Sequence, residues 1–116
     1  MTSPKPGEVY WVDLGMAAKH RPVMIVSRED AEAERAVAVC VPLTTQVRGG
    51  KYEVSLPRVR WMQGAEPGVA NVQGLTSVEF HRLDRRAGCF EARFVQKVRG
   101  AVAWMLEIDS SPPPDR

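Results

Sequence analysis

Apolar and polar positions along this chain follow two periods in turn, and the change from one to the other divides the sequence. From residue 8 to about residue 75 the apolar residues come in short runs punctuated by Gly and Pro, the pattern of strands. Glu8-Val9-Tyr10-Trp11-Val12-Asp13-Leu14 is rich in β-branched and aromatic residues and lies between Pro6-Gly7 and Gly15, so a strand is predicted there. Val23-Met24-Ile25-Val26 is apolar at every position and reads as a strand buried on both faces, with Pro22 at its start where no ladder N–H is needed. Ala36-Val37-Ala38-Val39-Cys40-Val41 is a third strand, closed by Pro42. After a turn at Gly49-Gly50, Tyr52-Glu53-Val54-Ser55-Leu56 alternates like a half-exposed strand. Val69 to Leu75 predicts a fifth, with Asn71 and Gln73 on one face and Ala70 and Val72 on the other. Between these, Ser27 to Arg35 reads as a loop or a single helical turn, and residues 57–67 as a loop or an irregular edge. Thr76 to Leu83 is expected to hold a short helical turn ahead of the basic run Arg82, Arg85 and Arg86.

The last element changes period. Phe94, Val95, Val98, Ala101, Val102 and Met105 recur at three- and four-residue steps, with Arg93, Gln96, Lys97 and Arg99 on the other side, which predicts an amphipathic helix of about four turns. About five short strands followed by one C-terminal α-helix give a mainly β (α+β) fold: a small, strongly bent antiparallel sheet or barrel with the helix over an apolar face. The connections are too short for parallel crossovers, which excludes a doubly wound α/β fold. Ser110 to Arg116, with three consecutive prolines, is expected to be a disordered tail on a single domain spanning residues 1–109.

With 116 residues, 44% hydrophobic and 26% charged, the chain has room for one core and the composition of a globular protein. A net charge of +2 is too small to imply a nucleic-acid partner by itself, so such a partner has to be argued from where the charges sit. No run approaches the ~20 apolar residues of a membrane span. The N-terminal Met1-Thr2-Ser3-Pro4-Lys5-Pro6-Gly7 lacks an apolar signal core, so a soluble, cytoplasmic protein is expected. Cys40 and Cys89 stand 49 positions apart in apolar surroundings and read as small buried hydrophobes. His20 and His81 flank no ligand cluster, and no close Cys pair occurs, so no metal site and no cofactor are expected.

Candidate chemistry sits at strand edges. Lys19-His20-Arg21 lies between the first two strands, Thr44-Thr45-Gln46 follows the third, and Asn71 and Gln73 lie on the fifth. Where those strands meet at one end of the sheet, a guanidinium fork, a hydroxyl and two amides converge, a donor set suited to a phosphodiester and to its growing negative charge in reaction. The plainer reading is that Lys19 and Arg21 are solvated loop charges and the amides cap edges. A Gly-rich phosphate loop, a G-x-S-x-G elbow and a clustered set of acids for a two-metal nuclease are all missing; Glu29-Asp30 with Glu32 and Glu34 reads as a solvated turn. Trp104 is expected in the core or an interface. Trp61, flanked by Arg58 and Arg60, is expected to be a covering loop residue or to stack a nucleobase.

These segments resemble the MazF/PemK family of toxin ribonucleases from bacterial toxin–antitoxin pairs. Pro6 to Leu14 is similar to the family's opening, Arg21-Pro22-Val23-Met24-Ile25-Val26-Ser27 to its second strand, and Val41-Pro42-Leu43-Thr44-Thr45 to its third. Val69 to Leu83 aligns without gaps to a fourth segment, ending in Arg82-Leu83. The resemblance implies an SH3-like antiparallel barrel of about five to seven strands that forms a homodimer, binds a cognate antitoxin, and cleaves single-stranded RNA without a metal. The ribose 2′-OH would be the nucleophile, leaving a 2′,3′-cyclic phosphate and a 5′-OH. Carried onto this chain, Arg21 contacts the scissile phosphate and helps protonate the leaving oxygen, and Thr44 hydrogen-bonds the same phosphate. Lys19, His20, Thr45, Asn71 and Gln73 are the matching candidates for substrate binding.

The chain departs from the family in two places. Its Gly15–His20 connection is several residues shorter, and Gln73, Gly74 and Thr76 stand where many relatives carry an acid, Gln and Arg. In one branch an Arg and an Asp at the places of Asn71 and Gln73 take part in catalysis, and neither amide here acts as an acid or base at neutral pH. His20 is the candidate to carry the proton instead. The alternative function is a catalytically inactive or binding-only relative, either like the gyrase-inhibiting toxins or a plain SH3-like interaction domain.

Overall fold

The computed structural model describes residues 3–13, 20–62 and 68–108. The predicted tail, Lys19 and most of the short connection after the first strand lie outside them. In chain order the elements are β1 (Glu8–Asp13), β2 (His20–Ile25), β3 (Val37–Thr44), β4 (Glu53–Ser55), β5 (Val69–Asn71), β6 (Thr76–Glu79), β7 (Leu83–Cys89) and α1 (Ala92–Met105). The seven strands form one antiparallel sheet in the order β4-β5-β3-β2-β1-β7, with β6 also paired to β3. This is the mainly β fold with one C-terminal helix that the period change predicts.

Two apolar clusters form on opposite faces because neighbouring strand residues point opposite ways. Val9, Met24, Val41, Leu43 and Val54 pack with Phe94, Val98 and Ala101 of the helix. Val12, Val23, Ile25, Ala38 and Cys40 pack with Val78 and Leu83 on the other side. The continuous apolar run of β2 therefore serves both. Of the stripe its sequence period picks out, the helix buries Phe94, Val95, Val98 and Ala101, and Val102 and Met105 pack partly buried against the same cluster. Burying each Val or Phe there contributes on the order of 1.5–3 kcal/mol. Trp61 covers the core: its ring meets Phe90 edge-on at 4.8 Å.

Several expectations change. The fifth strand stops at Asn71, where the side-chain oxygen accepts the Gln73 N–H at 3.1 Å and starts a 3-10 turn over Val72–Gly74. An Asn side chain that satisfies the backbone locally competes with the sheet ladder. The segment expected as a helical turn holds β6 before its short 3-10 turn, Phe80–Arg82. Of the basic run, Arg82 ends that turn and donates to the Asp13 carbonyl at 2.6 Å, while Arg85 and Arg86 lie on β7, a strand hidden by its polar residues: Arg86 pairs with Glu8 at 2.9 Å, and Arg85 lies 5.9 Å from the centre of the Trp11 ring. Cys40 is buried as expected, and burial pushes its thiol up to about 12, but Cys89 is exposed.

Glu8 ties β1 to β7. Burial alone raises its pKa, but hydrogen bonds from the Lys5 N–H, the Tyr10 hydroxyl and Arg86 outweigh this and hold the carboxyl below its usual 4.5. Burial first, and the bond to Glu8 second, push the Tyr10 phenol up to about 12. Because the folded carboxyl has the lower pKa, its contribution is complete above the unfolded value and is lost as pH falls through the folded one. Glu8→Gln is therefore expected to cost about 1 kcal/mol in urea unfolding at pH 7 and much less at pH 3. An equal cost at both pH values contradicts this assignment.

Candidate active site

The β2–β3 ladder pairs Val23 with Pro42, Met24 with Val41 and Ile25 with Cys40. Extending that register by two residues sets Arg21 opposite Thr44, on the same face as Val23 and Pro42. Beyond Pro42, β3 instead pairs its other edge with β5, Leu43 to Ala70 and Thr44 to Val69. The ends of β2 and β3 thus open a cavity of about 350 Å³ lined by Arg21, Pro42, Leu43 and Thr44. Gln46, Arg48 and Gly50 of the β3–β4 loop form another wall, and Tyr52, Glu53, Asn71 and Gln73 complete it.

The polar groups are set as donors. Thr44 Oγ1 accepts the Gln46 N–H at 3.0 Å, which leaves the hydroxyl proton to be given outward. The Asn71 carbonyl oxygen is held by the Gln73 N–H, which leaves its NH₂. Arg21 and Arg48 are exposed and make no ion pair among the described residues. Two unpaired guanidinium groups, a hydroxyl and an amide around one cavity suit a polyanion.

Of the residues singled out from sequence, Arg21, Thr44, Asn71 and Gln73 line this cavity. His20 does not: it neighbours Arg21 on β2 and so points to the opposite face, where its Nε2 is 3.4 Å from Asp84. Thr45 is exposed and not part of the lining, and Lys19 lies outside the described residues. Arg48, Tyr52 and Glu53 are lining residues that sequence reasoning missed. Glu53 was expected on the exposed face of an alternating strand, yet it is only 8% exposed. Its oxygens accept the Arg48 N–H at 3.1 and 2.9 Å and the Gly49 N–H at 2.8 Å. The signal in the sequence is an acid a few positions after a Gly-Gly turn, because turn N–H groups take side-chain acceptors.

Among the described residues no helix is long and apolar enough to cross a membrane. Residues 5–106 match the family described as PemK-like, MazF-like toxin of type II toxin-antitoxin system. No curated protein matches the chain in sequence. Among solved structures, an endoribonuclease in complex with its cognate antitoxin from a mycobacterial species is 25% identical, with TM-score 0.78, covering 95% of this chain and 100% of that one. The Mycobacterium tuberculosis toxin MazF-mt6 is similar in fold at 24% identity and TM-score 0.73, covering 88% and 98%. MazF from Deinococcus radiodurans is similar in fold at 21% identity and TM-score 0.75, covering 92% and 99%.

Proposed function

Since this chain belongs to the PemK-like, MazF-like toxins of type II toxin–antitoxin systems, we propose that it is an endoribonuclease that cleaves single-stranded RNA without a metal ion. The observation that carries the reading is the cavity at the end of the β2–β3 ladder, whose lining includes both Arg21 and Thr44 among its donors. The similar mycobacterial protein, an endoribonuclease in complex with its antitoxin, supports both the activity and the partner.

In this reading the ribose 2′-oxygen attacks the adjacent phosphorus as the P–O5′ bond breaks. The products are a 2′,3′-cyclic phosphate and a 5′-hydroxyl; one proton leaves the 2′-OH and one arrives at O5′, so no water is consumed. Negative charge grows on the non-bridging oxygens, and donors already aimed at that position stabilise it without reorganising. Arg21 supplies the charged fork, and Thr44, oriented by Gln46, supplies a neutral donor. Asn71 and Gln73 contact the neighbouring nucleotide. His20, turned toward Asp84, has no part in the proton transfer.

The protein acts in the cytoplasm as a homodimer, and its antitoxin lays an acidic segment across the basic cavity in competition with RNA. The test is incubation with long single-stranded RNA in excess chelator. Discrete fragments with 5′-hydroxyl ends are expected. Intact RNA from folded protein overturns the reading and favours a toxin that only binds.

A further inference from the structure

The mechanism above uses the β2–β3 face of the cavity and leaves the opposite wall unexplained. That wall is a loop between β3 and β4, and a carboxylate from inside the protein holds it. Glu53 opens β4 across from Asn71 of β5, so its place in the sheet is fixed. The residue is 8% exposed, and its carboxylate oxygens accept the backbone N–H groups of Arg48 and Gly49. The loop returns through a bond from the Glu53 N–H to the Gly50 carbonyl, and Gly49 takes a φ of +77°, a backbone that side chains rarely adopt. Fixing a loop costs conformational entropy, and a buried anion held by two backbone N–H donors offsets it. The residue this presents to the cavity is Arg48, whose guanidinium makes no ion pair among the described residues.

We propose that Glu53 is a positioning residue that holds the β3–β4 loop so that Arg48 binds a second phosphate of the RNA backbone, next to the phosphate taken by Arg21. This rests on the ribonuclease reading above. The carboxylate does not touch RNA; it sets the backbone from which Arg48 reaches. Glu53 keeps its negative charge, but the guanidinium groups of Arg21 and Arg48 outnumber that one carboxylate in the lining, so the cavity keeps its positive balance.

The test uses the whole protein and a fluorescent single-stranded oligonucleotide with 2′-deoxy sugars, which binds without being cleaved. Arg48→Ala is expected to lower the slope of log K against log[salt] by about 0.7, the value for one phosphate contact on a single strand. Glu53→Gln is expected to produce the same loss, and the double variant no further loss. In cleavage assays Glu53→Gln raises KM roughly tenfold, so that KM carries most of the fall in kcat/KM. The Arg48 and Gly49 amide protons exchange at least tenfold faster in that variant, while those of Val41 and Ala70 keep their protection. If the wild type binds and cleaves RNA but the two substitutions act additively, or Glu53→Gln leaves KM and slope untouched, the proposal is overturned and the ribonuclease reading stands. If the wild type neither binds nor cleaves RNA, the ribonuclease reading itself falls, and the proposal with it. Should Glu53→Gln fail to fold, an unchanged salt slope in Arg48→Ala overturns the proposal by itself.

Discussion

Arg21→Ala is expected to abolish RNA cleavage while leaving the fold intact. Preorganised donors at a developing anion account for about 10²–10³ in rate each, and a guanidinium fork supplies more than one, so a loss of at least about 10³ is expected. The fold should survive because Arg21 is exposed, sits at the end of β2 beyond its last β3 pair, and makes no ion pair among the described residues. Initial rates on labelled single-stranded RNA in chelator, beside a thermal melt of each protein, provide the measurement. Arg21→Lys should recover only a small part of the activity, because an ammonium keeps the charge but loses the planar fork. Thr44→Ala removes the facing hydroxyl and releases the Gln46 N–H, and about 10²-fold loss is expected. Cleavage by Arg21→Ala within tenfold of wild type would show that the chemistry lies elsewhere.

The largest effect on stability is expected at a position far from the cavity. Gly7 precedes β1 and joins three parts of the chain: its N–H donates to the Ile25 carbonyl at 2.8 Å, and its carbonyl accepts from Phe90 at 2.9 Å, just before α1. Its φ is +92°, and an added Cβ would sit 2.7 Å from the Phe90 carbonyl oxygen and 2.9 Å from Val95 Cγ2. The backbone oxygen cannot step aside without breaking the β7–α1 junction. Left-handed strain and the clash together make Gly7→Ala cost about 3 kcal/mol, a fall of roughly 10 °C in melting temperature for a domain of this size. Urea and thermal unfolding measure it directly. A loss below about 1 kcal/mol would mean that the junction yields more easily than its hydrogen bonds suggest.

Segments that contribute to an apolar cluster could be read from the sequence because burial imposes a period. β1, β2, β3 and α1 carry that period plainly: Val23, Met24, Ile25 and Val26 are all buried, and the helix stripe from Phe94 to Ala101 faces the sheet. β7 could not be read. It buries only Leu83 and Gly88, and its arginines are there for long-range partners, Glu8 and the Trp11 ring, that lie some seventy positions away in sequence. β6 was hidden for a similar reason: Val78 is its one buried residue.

The candidate site divides the same way. Arg21, Thr44, Asn71 and Gln73 could be named from their places beside predicted strands, because residues at strand ends are where a sheet exposes side chains. Their convergence was conditional on a register. The side of β2 on which each residue falls is set by pairing, and that separates Arg21 from His20, one position apart.

The sequence by itself determined the strand and helix periods, the all-antiparallel class, the apolar stripe of α1 and the identity of the donors, since each is a local property of residue type and spacing. Only the tertiary structure decided that β3 exchanges β2 for β5 at Pro42 and so opens a cavity beside Thr44. It also decided that Glu53 turns inward, because the N–H groups that satisfy a buried carboxylate come from a loop whose path no local pattern encodes.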